Sequence, residues 1–198
     1  MTGGTGAVVG SMALVEQTPW IMSGTLRENI LFGQEYDEEY YKKVIYACAL
    51  TEDINNWINK DLTLIGERGI NISGGQKARL ALARAVYSRA DIYILDDPLS
   101  AVDAHVKRHI LDHVIMDTGI LAGKIRIMSV NTNNILPYFD KVLTLNSSRK
   151  VSVSQNTRED YQLFAAKSDV VFDNGDICSK FNNDGNSNKA SNPEDDTE

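Results

Sequence analysis

Two groups of residues in this chain have the types and spacing to do chemistry on a bound anion. Ser73-Gly74-Gly75 stands immediately before a long run with helical periodicity. Paired glycines let a ligand approach the backbone closely. A helix N-terminus offers unpaired N–H groups and a partial positive charge, worth roughly 0.3–1 kcal/mol toward an anion. The serine adds a hydroxyl, although Ser73 taken alone reads equally as an ordinary helix N-cap. Sixteen residues after Gln76 begins the apolar run Ile92-Tyr93-Ile94-Leu95, which ends in Asp96-Asp97. Carboxylates at the C-terminal end of a buried parallel strand lie where α/β sheets bind ligands. One of them can hold Mg²⁺ and the next can polarise a water. A lone Asp-Asp-Pro is a turn signal, but the pairing of the two groups at this spacing argues against that reading.

The Gly-rich opening, MTGGTGAVVGS, invites a third assignment and fails it. A phosphate-cradling G-x-x-x-x-G-K-[ST] loop needs a second glycine five residues after the first and then a lysine. Val8 and Val9 stand at those positions after Gly3 and Gly4, and no lysine precedes Lys42. The stretch therefore reads as a lead into a strand.

The elements that must position these residues follow from periodicity. Residues 7–16 read as a strand or two broken at Gly10, and GTLRENILFG as a short helix closed at Gly33. In YDEEYYKKVIYACAL, Tyr41, Val44, Ile45 and Cys48 share one helical face, with Asp37 before the helix. Ala78, Leu82, Ala85 and Val86 mark the buried face of the helix after Ser73. HVKRHILDHVI reads as a helix, and DIYILDDP, KIRIMSV and KVLTLN as strands. Strands alternating with helices give an α/β domain with a largely parallel sheet. We divide the chain into a domain over residues 1–172 and a tail over 173–198. The tail is rich in Asn, Asp and Ser and too poor in apolar residues to offset its ordering entropy.

Composition excludes several classes. Hydrophobic residues make up 42% and charged residues 24% of 198, the balance of an ordinary globular domain. Most of the net charge of −7 falls in residues 173–198, where seven acidic side chains face Lys180 and Lys189. The near-neutral remainder offers no basic surface for nucleic acid. Cys48 and Cys178 do not make a disulfide framework, which fits a reducing compartment. No run reaches the ~18 apolar residues of a membrane helix. His105, His109 and His113 repeat every four residues on one helix, but no cysteine or carboxylate at ligand spacing accompanies them, and an ordinary helix is expected. Ser152, after basic residues, reads as an exposed strand end rather than a phosphorylation site.

Together these motifs resemble the ATP-binding cassette family. ISGGQ is similar to its signature sequence, IYILDD to its Walker B strand and SAVD to the D-loop that follows. ALVEQTPWIMSGTLRENILFG resembles the glutamine-loop region of the C subfamily, the multidrug-resistance-associated exporters. The likeness runs through VIYACALTEDI and GERGINISGGQKARLALARAVY, covers roughly residues 7–145, and is greatest to the first nucleotide-binding domain of fungal vacuolar members. It implies a P-loop-NTPase-like fold with a helical subdomain, and ATP and Mg²⁺ as cofactors. By the same resemblance, Gln17 approaches Mg²⁺ and the attacking water and links them to the transmembrane domains. Ser73, Gly74, Gly75 and Gln76 contact the γ-phosphate of ATP held by the opposite domain, Asp96 is the Mg²⁺ aspartate, and Asp103 lies at the dimer seam.

Two positions depart from a hydrolytic cassette. Asp97 stands where glutamate is expected, and a carboxylate misplaced by about 1 Å can cost on the order of 100-fold in rate. Asn131 stands at the switch histidine, and asparagine carries no proton charge near neutral pH. Such a domain holds ATP with little turnover, while its signature completes the working site of the second domain. The family's phosphate loop and adenine-stacking aromatic lie upstream of the glutamine loop, and only sixteen residues precede Gln17. We therefore expect the 198-residue chain alone to bind ATP weakly or not at all and not to hydrolyse it, as an N-terminally truncated piece of an exporter.

The resemblance implies partners in the second nucleotide-binding domain and the transmembrane domains of one transporter. It places the chain on the cytosolic face of a membrane, vacuolar for the nearest members, moving organic anions or conjugates. A chromosome-maintenance or repair ATPase head also pairs a signature with a Walker B strand, but no heptad run is visible. A non-catalytic remnant or a partner-docking module is the other alternative.

Overall fold

A computed structural model of the chain describes residues 9–145 and 150–156. The chain divides into two compact units, residues 1–131 and 132–198. The proposed tail, Cys178 and most of the Gly-rich opening lie outside the described residues, and so does part of the proposed 1–172 domain.

The first unit is built on strands β1 (Met12–Val15), β4 (Ile92–Asp96) and β5 (Ile125–Ser129), parallel and in the order β1-β4-β5. Between β1 and β4 come the two-residue strand β2 (Gly24–Thr25), helix α1 (Leu26–Leu31), helix α2 (Glu38–Ala47), helix α3 (Thr51–Asn56), strand β3 (Leu64–Ile65) and helix α4 (Gly74–Tyr87). Helix α5 (Ala104–Ile110) connects β4 to β5. The α/β class read from the alternation of elements is the class observed. The antiparallel β2–β3 pair, Gly24 with Ile65 and Thr25 with Leu64, was not expected, because two residues carry no period.

Helix ends follow local rules. Thr25 and Glu28 form a capping box on α1, and Phe32 ends it in the left-handed region at φ 45°, followed by Gly33 at φ 86°. Asp37 caps α2 by accepting from the Tyr40 N–H at 3.0 Å. The expected face of α2 is buried: Tyr41, Val44, Ile45 and Cys48 are 9% exposed or less. Helix α4 buries more than the four residues named from periodicity. Leu80, Ala81, Ala83 and Tyr87 are buried as well, because α1, α2 and β1 all pack around it. The helix from Ala104 also departs from expectation, passing at Leu111–Ile115 into a wider π turn closed by Met116 N–H to Leu111 O at 2.9 Å. Gly119 folds back onto this turn so closely that a Cβ there would lie 2.8 Å from the Val114 carbonyl.

One carboxylate organises the N-terminal ends of the three strands. Asp91 accepts from the Ser11 N–H at 3.0 Å, the Ser11 hydroxyl at 2.9 Å and the Lys124 ammonium at 3.3 Å. These residues lie just before β4, β1 and β5 respectively. Gly10, at φ 134°, is the glycine of the opening that matters, since a Cβ there would sit 3.1 Å from the Asp91 Cβ. The sheet's two faces differ sharply. Val15, Tyr93 and Leu95 are buried, whereas Met12, Leu14, Ile125 and Ile127 are exposed, Leu14 to 60%. Parallel sheets ordinarily have both faces covered.

In the second unit, a 3₁₀ stretch (Asn133–Tyr138) precedes β6 (Lys141–Leu145), which pairs antiparallel with β7 (Val151–Gln155). Ser152, on β7, is exposed. Asn156 closes this unit by donating its side-chain amide to the Leu136 and Phe139 carbonyls, both at 2.8 Å.

Candidate functional site

The opposite ends of the same three strands carry the candidate site. Asp96 pairs in register with Ser129, and the Ser129 hydroxyl donates to Asp96 Oδ1 at 2.5 Å. The next residue, Asp97, turns into the left-handed region at φ 43°, a conformation that aspartate tolerates better than most residues. Its N–H donates to the Ser129 hydroxyl oxygen at 3.0 Å and carbonyl at 3.2 Å. Gln17, two residues beyond β1, donates its amide to Asp97 Oδ2 at 3.5 Å. Asn131, two residues beyond β5, donates to the same oxygen at 3.2 Å. Gln17, Asp96, Asp97 and Asn131, separated by up to 114 positions in sequence, therefore meet at one edge of the sheet.

Among the described residues, the cluster contains no histidine, lysine or cysteine. Two neutral amides hold the Asp97 carboxylate, and an amide cannot relay a proton as an imidazole does. On Asp96, Oδ1 is spent on Ser129, while Oδ2 has no protein partner among the described residues. Gln17 donates through nitrogen, which leaves its oxygen for a cation. A carboxylate oxygen and an amide oxygen are the hard donors that Mg²⁺ takes.

The signature residues form a second group at the start of α4. Ser73 is the N-cap, and its side chain accepts from the Gln76 N–H at 3.1 Å while Gln76 Oε1 accepts from the Ser73 N–H at 2.8 Å. The anion-site and helix-cap readings of Ser73 are thus compatible: the oxygen caps the helix and the hydroxyl proton is not used for that. Gly75 lies against the segment after Asp97, where a Cβ would stand 3.0 Å from the Ala101 carbonyl oxygen. Asp103 caps α5, accepting from the Val106 N–H at 3.0 Å.

The chain that follows Gln17 is pinned by Arg84 of α4. Its guanidinium donates to the Asn29 carbonyl at 2.8 Å, the Asn29 side-chain oxygen at 2.9 Å and the Trp20 carbonyl at 2.9 Å. It also lies 5.1 Å from the Trp20 ring centre and 5.2 Å from that of Phe32. Burial lowers the pKa of this guanidinium. Arg84, Ser129 and Asp53 were not identified from sequence. The hydroxyl of Ser129 acquires meaning only once β4 and β5 are in register. The rings of His109 and His113 lie against each other at a tilt of 52°, with centres 4.3 Å apart. They turn toward Tyr46, with His109 Nε2 2.7 Å from its carbonyl oxygen and His113 Nε2 3.4 Å from its hydroxyl.

The profile of the ABC transporter family matches residues 6–100. The chain is 54% identical over 144 residues to the metal resistance protein YCF1 of Saccharomyces cerevisiae, covering 73% of this chain and 10% of that protein. It is 53% identical over 138 residues to ATP-binding cassette sub-family C member 2 of Mus musculus, covering 70% and 9%. To ABC transporter C family member 9 of Arabidopsis thaliana it is 51% identical over 146 residues, covering 74% and 10%. The chain spans about a tenth of the length of these curated relatives. It belongs to the ABC transporter family, as a nucleotide-binding-domain sequence of the C subfamily.

Proposed function

We propose that this chain supplies two half-sites to an ATP-driven exporter of organic anions or conjugates. In its own half-site, Asp96 and Gln17 hold Mg²⁺ of a bound ATP, while Asp97 and Asn131 support binding with little turnover. In the other, the N-terminus of α4, from Ser73 to Gln76, closes on the γ-phosphate of ATP held by a second nucleotide-binding domain, with Asp103 at the seam. Its partners are that domain and the transmembrane domains of the same transporter, on the cytosolic face of a membrane, a vacuolar one by the sequence resemblance to fungal vacuolar members. Residues 1–172 form the domain and 173–198 a tail. Bound Mg²⁺ would supply charge neutralisation across the phosphate oxygens. The chain's own residues orient the cation, fix Asp97 and present helix N–H groups to an anion.

The observation that carries this reading is the pair of amides on Asp97. A general base must accept a proton from water at an accessible oxygen. Here Gln17 and Asn131, which donate to Oδ2, are neutral amides that cannot pass a proton on as an imidazole does, and the N–H of the shorter aspartate is held by Ser129. The exposed apolar face of the sheet supports the reading too, since further polypeptide over Met12, Leu14, Ile125 and Ile127 would complete a parallel sheet.

The test is to purify the chain and titrate it with ATP and Mg²⁺, alone and with a separately produced C-subfamily domain that carries its own phosphate loop. Alone it should show no micromolar ATP binding and no hydrolysis. Added to the second domain, it should associate in an ATP-dependent way and raise that domain's turnover. Ser73→Arg should abolish the effect and Asp97→Ala should leave it. Loss with Asp97→Ala but not with Ser73→Arg would overturn the assignment of the two half-sites.

A further inference from the structure

Asp53 falls in the stretch VIYACALTEDI but is not among the site residues named above. It sits in the first turn of α3, yet its two carboxylate oxygens are both directed at the signature helix. Oδ1 accepts from the Gln76 side-chain amide at 2.7 Å and Oδ2 from the Arg79 guanidinium at 2.5 Å. The Asp53 side chain is 16% exposed and that of Arg79 13%, so water competes weakly for either bond. Arg79 in turn donates to the Gly75 carbonyl at 3.3 Å and to the Ala49 carbonyl, in the left-handed turn before α3.

Gln76 is committed at both ends. Its oxygen accepts from the Ser73 N–H and its nitrogen is held by Asp53. Both atoms of its amide are thus fixed in direction, the oxygen by the cap of its own helix and the nitrogen by Asp53, which leaves one N–H of the nitrogen unused. Ser73, Gly75 and Gln76 are each tied to Asp53 directly or through one intervening side chain. On the opposite side, Gly75 rests on the Ala101 carbonyl. The N-terminus of α4 is thus clamped between α3 and the segment after β4.

We propose that Asp53 is a positioning residue for the signature: by holding Gln76 and Arg79, it fixes the direction in which the α4 N–H groups, the Ser73 hydroxyl and the Gln76 side chain point. This rests on the reading that the signature closes on ATP of a second domain. Charge-assisted hydrogen bonds with good geometry are the strong ones, and a site loosened by its supporting residues loses affinity without losing its fold.

The test compares Asp53→Ala, Asp53→Asn and Gln76→Ala in the full 198-residue chain. One readout is ATP-dependent association with a phosphate-loop-bearing C-subfamily domain. The other is the NMR resonances of the Gln76 side-chain amide, which need no partner. Asp53→Ala should weaken association at least about ten-fold and shift the Gln76 amide resonances. Asp53→Asn, which keeps an oxygen toward Gln76 but sets its NH2 against the Arg79 guanidinium, should weaken association less than Asp53→Ala does. Gln76→Ala leaves the Arg79–Asp53 ion pair intact, so it should weaken association with little change in melting temperature. A folded Asp53→Ala or Gln76→Ala chain that associates as tightly as wild type overturns the proposal. So do Gln76 resonances unchanged by Asp53→Ala. A wild-type chain that associates with no ATP-loaded domain overturns the signature reading instead, and the resonances still decide on the brace.

Discussion

Ser129 and Asp96 face each other across β5 and β4, and the hydroxyl of the first is 2.5 Å from the carboxylate of the second. The same oxygen receives the Asp97 N–H at 3.0 Å. A single side chain thus orients one acidic residue and anchors the strained backbone of the next. If the two interact directly, their substitutions will not add. Ser129→Ala and Asp96→Ala should each lower stability by about 1 kcal/mol, and the double variant should lose little more than either single one. Ser129→Thr keeps the hydroxyl and should restore most of the difference. Urea unfolding of the four chains measures the coupling, and simple additivity would show that the contact has no energetic weight.

The chemistry was more legible in the sequence than its supports. Ser73, Asp96 and Asp97 were recognisable because glycines before a helix and acids after an apolar strand are local patterns. Gln17 and Asn131 were found only through family resemblance, and nothing local reveals that both amides reach one Asp97 oxygen. Ser129 and Asp53 were invisible for a related reason. A serine at a strand end and an acid in a helix's first turn are common, and their partners lie 33 and 23 residues away. The β2–β3 pair is too short to show alternation, and the π turn after Ile110 depends on how Gly119 packs.

Gly74 and Gly75 are adjacent in the signature but should respond oppositely to alanine. A Cβ at Gly74 would come no closer than 4.0 Å to Ala101, whereas at Gly75 it would meet the Ala101 carbonyl oxygen at 3.0 Å. Alanine gains up to about 1 kcal/mol over glycine in a helix interior, and less in the first turn. Gly74→Ala should therefore stabilise by a few tenths of a kcal/mol. In Gly75→Ala the gain is offset by pushing α4 off the segment after β4. Its melting temperature should stay near or below wild type while partner association falls. Thermal melts with the association assay check both, and equal behaviour of the two variants would count against the clamp.

Arg84 should be irreplaceable by lysine. Its three hydrogen bonds to Asn29 and Trp20 come from different guanidinium nitrogens, and its planar face meets Trp20 and Phe32. Asn29 is fully buried, so losing the guanidinium removes a partner from buried polar atoms. Arg84→Ala should cost about 2–4 kcal/mol. Arg84→Lys should recover less than half, because an ammonium cannot span the three acceptors. Denaturant midpoints decide the comparison. A lysine variant as stable as wild type would mean that charge alone, rather than the planar fork, holds the segment after Gln17.

Acid should unfasten the sheet at the end away from the site. The Ser11 N–H, then the Ser11 hydroxyl and the Lys124 ammonium, hold the Asp91 carboxyl below its ordinary range. Hydrogen bonds from Tyr40 and Arg89 do the same for Asp37, and those from Thr25 do so for Glu28. A carboxyl whose pKa is depressed in the folded chain contributes stability at every pH above its unfolded value. That contribution is lost as pH falls through the lower, folded value. Stability should hold from pH 7 to about 5 and decline below about pH 4, where unfolded carboxylates begin to take up protons. Asp91→Asn should be less stable than wild type at neutral pH, and the gap should close as pH falls toward 2. Urea unfolding at stepped pH follows this directly. A gap that stayed constant down to pH 2 would show that Asp91 acts through its shape and its neutral hydrogen bonds, with its charge contributing nothing to the junction of the three strands.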